Sequence, residues 1–113
     1  MELKDRIEIK DGRLAVSGCD CVELAREYGT PLYVMDESRI RDNCRSLVSA
    51  MNKYAPGGRV MYASKAFMNK AMCVIAASEG MGLDVVSGGE LYTALEAGIS
   101  GSIIEMHGNN KTY

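Results

Sequence analysis

Between residues 32 and 106, four short apolar runs take turns with stretches of helical periodicity. That alternation limits the fold more than any other feature. The runs are Leu32–Met35, Val60–Ala63, Leu83–Val86 and Ile103–Met106. Each is rich in β-formers and flanked by turn or polar residues, such as Pro56-Gly57-Gly58 ahead of the second, so each reads as a strand. A helix is predicted from a cap at Asp36 to about Lys53, with Ile40, Cys44, Leu47, Val48 and Met51 on one apolar stripe. A second runs from Asn69 to Glu79 with Met72, Ile75 and Ala76 inward, and a third from Gly89 to Ala97, stopped by Gly98. Strands alternating with helices make βαβ units, and hence an α/β fold with a parallel sheet and right-handed crossovers.

Ahead of this alternation the pattern changes. Ile7-Glu8-Ile9-Lys10 and Arg13-Leu14-Ala15-Val16 alternate apolar and polar residues around Asp11-Gly12, a pair suited to positive φ. That predicts a β-hairpin. A short helix follows, from Cys21 to Tyr28, ended by Gly29. The hairpin has no obvious partner in the parallel sheet. Nor does a helix follow the fourth strand before Thr112-Tyr113. A closed (β/α)8 barrel needs about 200 residues or more, so 113 residues make either a small open α/β domain or the N-terminal half of a TIM-type barrel. The half-barrel fits better, because a missing crossover helix leaves apolar sheet uncovered. The expected organisation is residues 1–28 as hairpin and short helix, and residues 29–113 as a truncated first half of the barrel.

Composition excludes several functions. A formal charge of -2, with no stripe of basic and aromatic residues, gives no field for nucleic acid. No apolar stretch is long enough to span a bilayer, and the start Met1-Glu2-Leu3-Lys4-Asp5-Arg6 has no apolar export core, so the cytoplasm is expected. Cys19, Cys21, Cys44 and Cys73 are then expected as free thiols. Cys19-Asp20-Cys21 is too tightly spaced for a zinc knuckle, Cys44 and Cys73 fall on apolar helix positions, and no metal site is expected.

The polar residues gather at strand ends. Strand one ends in Asp36, strand two in Ser64-Lys65, strand three in Ser87-Gly88-Gly89-Glu90 and strand four in His107-Gly108-Asn109-Asn110-Lys111. In parallel α/β folds the C-terminal ends share one rim, where ligands bind. Lys65 there is either a strand cap that snorkels to solvent or a desolvated amine able to attack an aldehyde. Asp84 lies inside an apolar strand, costly unless paired, and Lys65 on the neighbouring strand is its expected partner. Gly88-Gly89 fits a phosphate-cradling turn or a tight strand-to-helix turn. Asn109 and Asn110 fit a ligand contact or a helix cap. His107 is either a ring over a flat cofactor or a loop histidine with a backbone partner.

Tyr62-Ala63-Ser64-Lys65-Ala66, Leu83-Asp84-Val85-Val86-Ser87-Gly88-Gly89-Glu90-Leu91 and His107-Gly108-Asn109-Asn110-Lys111-Thr112 together resemble the pyridoxal-phosphate-dependent diaminopimelate decarboxylases. Gly29-Thr30-Pro31-Leu32-Tyr33-Val34 resembles that family's entry into its barrel. The lysine motif alone is shared with ornithine and arginine decarboxylases and, loosely, alanine racemases. Phe67-Met68 departs from the pattern, many relatives carrying a polar residue there. The resemblance implies an eight-stranded barrel plus a β domain to which the hairpin belongs, and pyridoxal 5'-phosphate as cofactor. It implies Lys65 as the lysine bound to the cofactor, Asp84 as a second catalytic group, and Asp84, Glu90 and His107 lining the cofactor site. It further implies decarboxylation of meso-2,6-diaminopimelate to L-lysine, the last step of lysine biosynthesis, in a homodimer. Alternatives are a basic amino-acid decarboxylase of the ornithine or arginine type, or a non-catalytic cofactor-binding regulator. This stretch by itself is expected to be inactive.

Overall fold

The computed structural model describes residues 6–111. Met1–Asp5 and Thr112–Tyr113 lie outside it, and with them most of the segment Met1–Arg6 and the end of the His107–Thr112 motif; the side chain of Asn110 does too. The chain divides into two units between Asp36 and Glu37.

In the first unit, β1 (Ile7–Lys10) and β2 (Arg13–Val16) pair antiparallel, with Ile7 opposite Val16 and Ile9 opposite Leu14. Asp11 and Gly12 join them at φ 51° and 74°. Positive φ at both turn residues matches the twist of the flanking strands, so the expected hairpin forms. A second turn at Ser17-Gly18 adds β3 (Cys19–Asp20), a strand too short for sequence periodicity to reveal. The Asp20 carboxylate then caps α1 (Cys21–Tyr28), accepting from the Val22 and Glu23 N–H groups at 2.7 and 3.2 Å. Gly29, at φ 82°, ends the helix as expected. Ala15 is buried where α1 lies on β2. Asp36 accepts from Arg6 at 3.5 Å and from the Ser17 hydroxyl.

The expected strand Leu32–Met35 does not form. It follows a cis Thr30-Pro31 bond and belongs to neither sheet, with Tyr33 91% exposed. Its β-forming composition needs a neighbouring strand to become a ladder, and none pairs with it among the described residues.

In the second unit, α2 (Glu37–Tyr54), β4 (Met61–Ala63), α3 (Lys70–Ser78), β5 (Gly82–Ser87), α4 (Gly88–Glu96) and β6 (Ile104–Asn110) follow in order. The three strands form one parallel sheet in the order β4-β5-β6. The parallel sheet thus has three strands rather than four. Leu83 and Val85 of β5 are completely buried against Cys44 of α2, Met72, Cys73 and Ala76 of α3, and Ala94 of α4. Their cross-strand neighbours Tyr62, Ile104 and Met106 pack on the same side. The stripe on α2 is narrower than expected: Cys44 is buried, while Leu47 is exposed. Strand alternation sends the row Ala63, Asp84, Glu105 to the opposite side of the sheet.

Two local devices finish the sheet. The side chain of Glu79, just past α3, accepts from Arg41 at 2.8 Å and from Arg45 at 2.7 and 2.8 Å, tying α2 to the end of α3. The second is a register break between β5 and β6: Val85 pairs with Met106, but Ser87 pairs with Asn110. At the break, the backbone of Gly108 lies so close to Val86 that a Cβ would meet the Val86 carbonyl. Only glycine fits there. Strand β6 thus continues four residues past the expected end at Met106, and His107 is a strand residue rather than a loop residue.

Candidate functional site

The C-terminal ends of β4 and β5 lead directly into short turns. Ser64–Ala66 form a single 3-10 turn after β4, packed against β5. Within it Ser64 is 1% exposed, whereas Lys65 is exposed. The desolvated amine considered from the sequence is therefore not what the turn presents: the hydroxyl faces inward and the ammonium outward. The hydroxyl of Tyr62 donates to the Phe67 carbonyl at 2.7 Å, and the Asn69 side chain accepts from the Met72 N–H at 2.8 Å to cap α3. Burial raises the Tyr62 phenol above its usual range.

Asp84 and Lys65 do not pair in this structure. No ion pair of either residue occurs among the described residues, and Asp84 Oδ1 is buried with no hydrogen-bond partner. The expectation failed because adjacency of two strands fixes Cα positions, while the 3-10 turn decides where a lysine on it points. The Ser64 hydroxyl is a second buried polar atom without a partner. Such orphans cost about 1–3 kcal/mol each when nothing answers them. Ser64 directly follows β4, and Asp84 lies within β5 opposite Ala63, the last residue of β4.

At the end of β5, Ser87 caps α4 by accepting from the Glu90 N–H at 3.3 Å. Glu90 reaches back, its Oε2 accepting from the Val86 N–H at 2.8 Å. The register break removes Val86 from the regular ladder, and this carboxylate supplies the missing acceptor. Serine followed three residues later by glutamate is a capping-box spacing, a signal in the sequence for a structural role of Glu90 at this junction. Gly88 and Gly89 are the exposed first residues of α4, consistent with a tight strand-to-helix turn. His107 and Asn109 are exposed on β6. Among the described residues no cluster of metal-ligating side chains occurs, and no helix is long and apolar enough to cross a membrane. All four cysteines are free thiols, with Cys44 and Cys73 buried, and burial raises both of those thiols above the usual range.

The geometry is thus an uncommitted ammonium at one strand end, a buried unanswered carboxylate oxygen on the next strand, and an ordered strand-to-helix junction beside them. An aldehyde-bearing ligand with hydrogen-bonding ring substituents fits that donor and acceptor set.

Comparison with known proteins agrees with this chemistry. Residues 37–113 match the family described as pyridoxal-dependent decarboxylase, pyridoxal binding domain. The chain is 50% identical over 101 residues to the diaminopimelate decarboxylase of Bacillus methanolicus, covering 89% of this chain and 23% of that protein. It is 51% identical over 105 residues to the enzyme of Methanothermobacter thermautotrophicus, covering 92% and 24%. The crystal structure of the Methanocaldococcus jannaschii diaminopimelate decarboxylase in complex with L-lysine superposes with a TM-score of 0.79 at 41% identity, over 96% of this chain and 26% of that one. The chain therefore spans about a quarter of the length of the curated relatives it matches. With its matched segment covering both strand-end turns and the whole parallel sheet, the chain belongs to the pyridoxal-dependent decarboxylases, as part of their pyridoxal binding domain.

Proposed function

We propose that this chain is the lysine-bearing part of a decarboxylase that converts meso-2,6-diaminopimelate to L-lysine and CO2. The observation that carries the reading is the exposed, uncommitted Lys65 on the 3-10 turn after β4, with the buried Asp84 Oδ1 on the adjoining strand. Diaminopimelate is preferred over ornithine or arginine because of the identity, near 50%, to diaminopimelate decarboxylases. In this reading residues 29–113 begin a (β/α)8 barrel, β4 to β6 being consecutive strands of it, and the hairpin within residues 1–28 joins a separate β domain. The complete enzyme works as a homodimer in the cytoplasm.

Bound pyridoxal phosphate supplies an electron sink for the pair left behind when CO2 departs. The chain's own residues do the rest. Lys65 Nζ would hold the cofactor at its aldehyde and would keep a proton within reach of the reacting carbon. Asp84 Oδ1 is a preplaced acceptor, whose burial strengthens any hydrogen bond it receives. Glu90 works through the junction it holds, fixing the Ser87-Gly88-Gly89 backbone at the α4 N-terminus. His107 flanks the same strand ends from β6.

The test uses the complete polypeptide. Lys65→Ala should abolish the visible absorbance of the lysine-bound cofactor and slow CO2 release from diaminopimelate by roughly 10²–10⁴-fold. An undiminished band, lost instead on changing Lys70 or Lys111, would overturn the assignment of Lys65. Faster CO2 release from ornithine or arginine would move the substrate. A protein that binds cofactor but releases no CO2 from any of these amino acids would be a regulator instead.

A further inference from the structure

We propose that Tyr62 is a positioning residue for Lys65, its hydroxyl bridging the turn that carries the lysine and holding that turn in one arrangement before any ligand arrives. The inference rests on the reading of Lys65 given above.

The two ends of the bridge differ in rigidity. Tyr62 stands within β4, pairs with Leu83 of β5 and packs its ring on the apolar cluster, so its hydroxyl projects from a fixed base. Phe67, the residue it reaches, is exposed and lies just past the turn in extended conformation, at φ -165° and ψ 122°. The bond of 2.7 Å closes a loop of which Lys65 is the middle. The 3-10 turn has no side-chain cap at Ala63, and from Ser64 to Met68 no other side chain bonds the backbone among the described residues. Downstream the segment is next fixed at Asn69, which caps α3. A single 3-10 turn is weakly held by its own hydrogen bonds. Ser64 is anchored by burial against β5, and without the phenol the exposed stretch Lys65–Phe67 would have no side-chain hydrogen bond among the described residues to hold it. Burial keeps the phenol protonated, and therefore a donor, through neutral and mildly alkaline pH.

An amine that must meet an aldehyde gains rate from being held in place. Tyr62→Phe removes the hydroxyl and keeps the ring. In the complete protein, stripped of cofactor and mixed with pyridoxal phosphate, this variant should raise the visible band roughly 2–10-fold more slowly, the size of one hydrogen bond. Amide exchange should quicken at residues 64–68 and stay unchanged in β5 and α3. A wild-type rate of band formation overturns the proposal. So does exchange quickened equally through β5 and α3, since that would mean loosened packing. Lys65→Ala is run in parallel. If it keeps the band, the role of Lys65 falls and that of Tyr62 with it. If it loses the band while Tyr62→Phe behaves as wild type, only the role of Tyr62 falls.

Discussion

Glu90 shows how one carboxylate serves a backbone before it serves a ligand. Its Oε2 answers the Val86 N–H that the register break strands, so removing the acceptor should cost the fold directly. Glu90→Ala should lower unfolding stability by about 1–3 kcal/mol, the range for an orphaned buried donor. Glu90→Gln keeps an acceptor oxygen and should stay within about 0.5 kcal/mol of wild type. Urea denaturation followed by circular dichroism separates the two. Equal losses for both variants would show that charge, not the hydrogen bond to Val86, is what matters. At this scale the sequence was legible where chemistry is local. Asp11-Gly12 named its turn and Asn69 its place at the head of a helix. Lys65 was placed at one strand's end and Asp84 inside the next, yet their pairing depended on the direction of a 3-10 turn, which no spacing encodes.

Between α2 and α3, Glu79 joins two elements through two guanidinium groups, Arg45 and Arg41. Those hydrogen bonds, first from Arg45 and then from Arg41, hold its carboxyl below the ordinary value of 4.5. The folded carboxyl is thus the stronger acid, and its contribution is complete above the unfolded value and disappears as pH falls through the folded one. The wild-type chain should lose stability below about pH 4.5 more steeply than Glu79→Gln. Thermal melts from pH 7 to pH 3 test this, and parallel curves for the two proteins would refute it. Elements with their own caps and stripes were readable in advance: α1, α3 and α4 lie within a residue of their expected ends. Elements defined by neighbours were not. Leu32–Met35 has a strand's composition but no strand beside it among the described residues, whereas Cys19–Asp20 has hardly any composition to read and pairs with β2. Likewise β6 outruns its apolar residues because β5 continues beside it as far as Ser87, and Gly108 permits the approach.

For the molecule as a whole, the parallel sheet is three strands wide and both outer strands, β4 and β6, have an unpaired side among the described residues. Open edges recruit other strands. The isolated 113-residue chain should therefore self-associate, with sedimentation velocity showing species heavier than 12.3 kDa that grow with concentration. A monodisperse monomer with strongly protected amides in β4, β5 and β6 would contradict this. The two faces of that sheet also live under different constraints. Leu83, Val85 and the helices behind them hold the fold, and a change there is felt as lost stability. Ala63, Asp84 and Glu105 lie across the backbone from that apolar cluster, so their side chains can vary with little disturbance to it. The strands act as a bulkhead between side chains kept for stability and side chains kept, or exchanged, for function. A lineage built on such a partition can exchange one amino-acid substrate for another by successive single substitutions on the far side, each leaving the protein folded while selection samples the result.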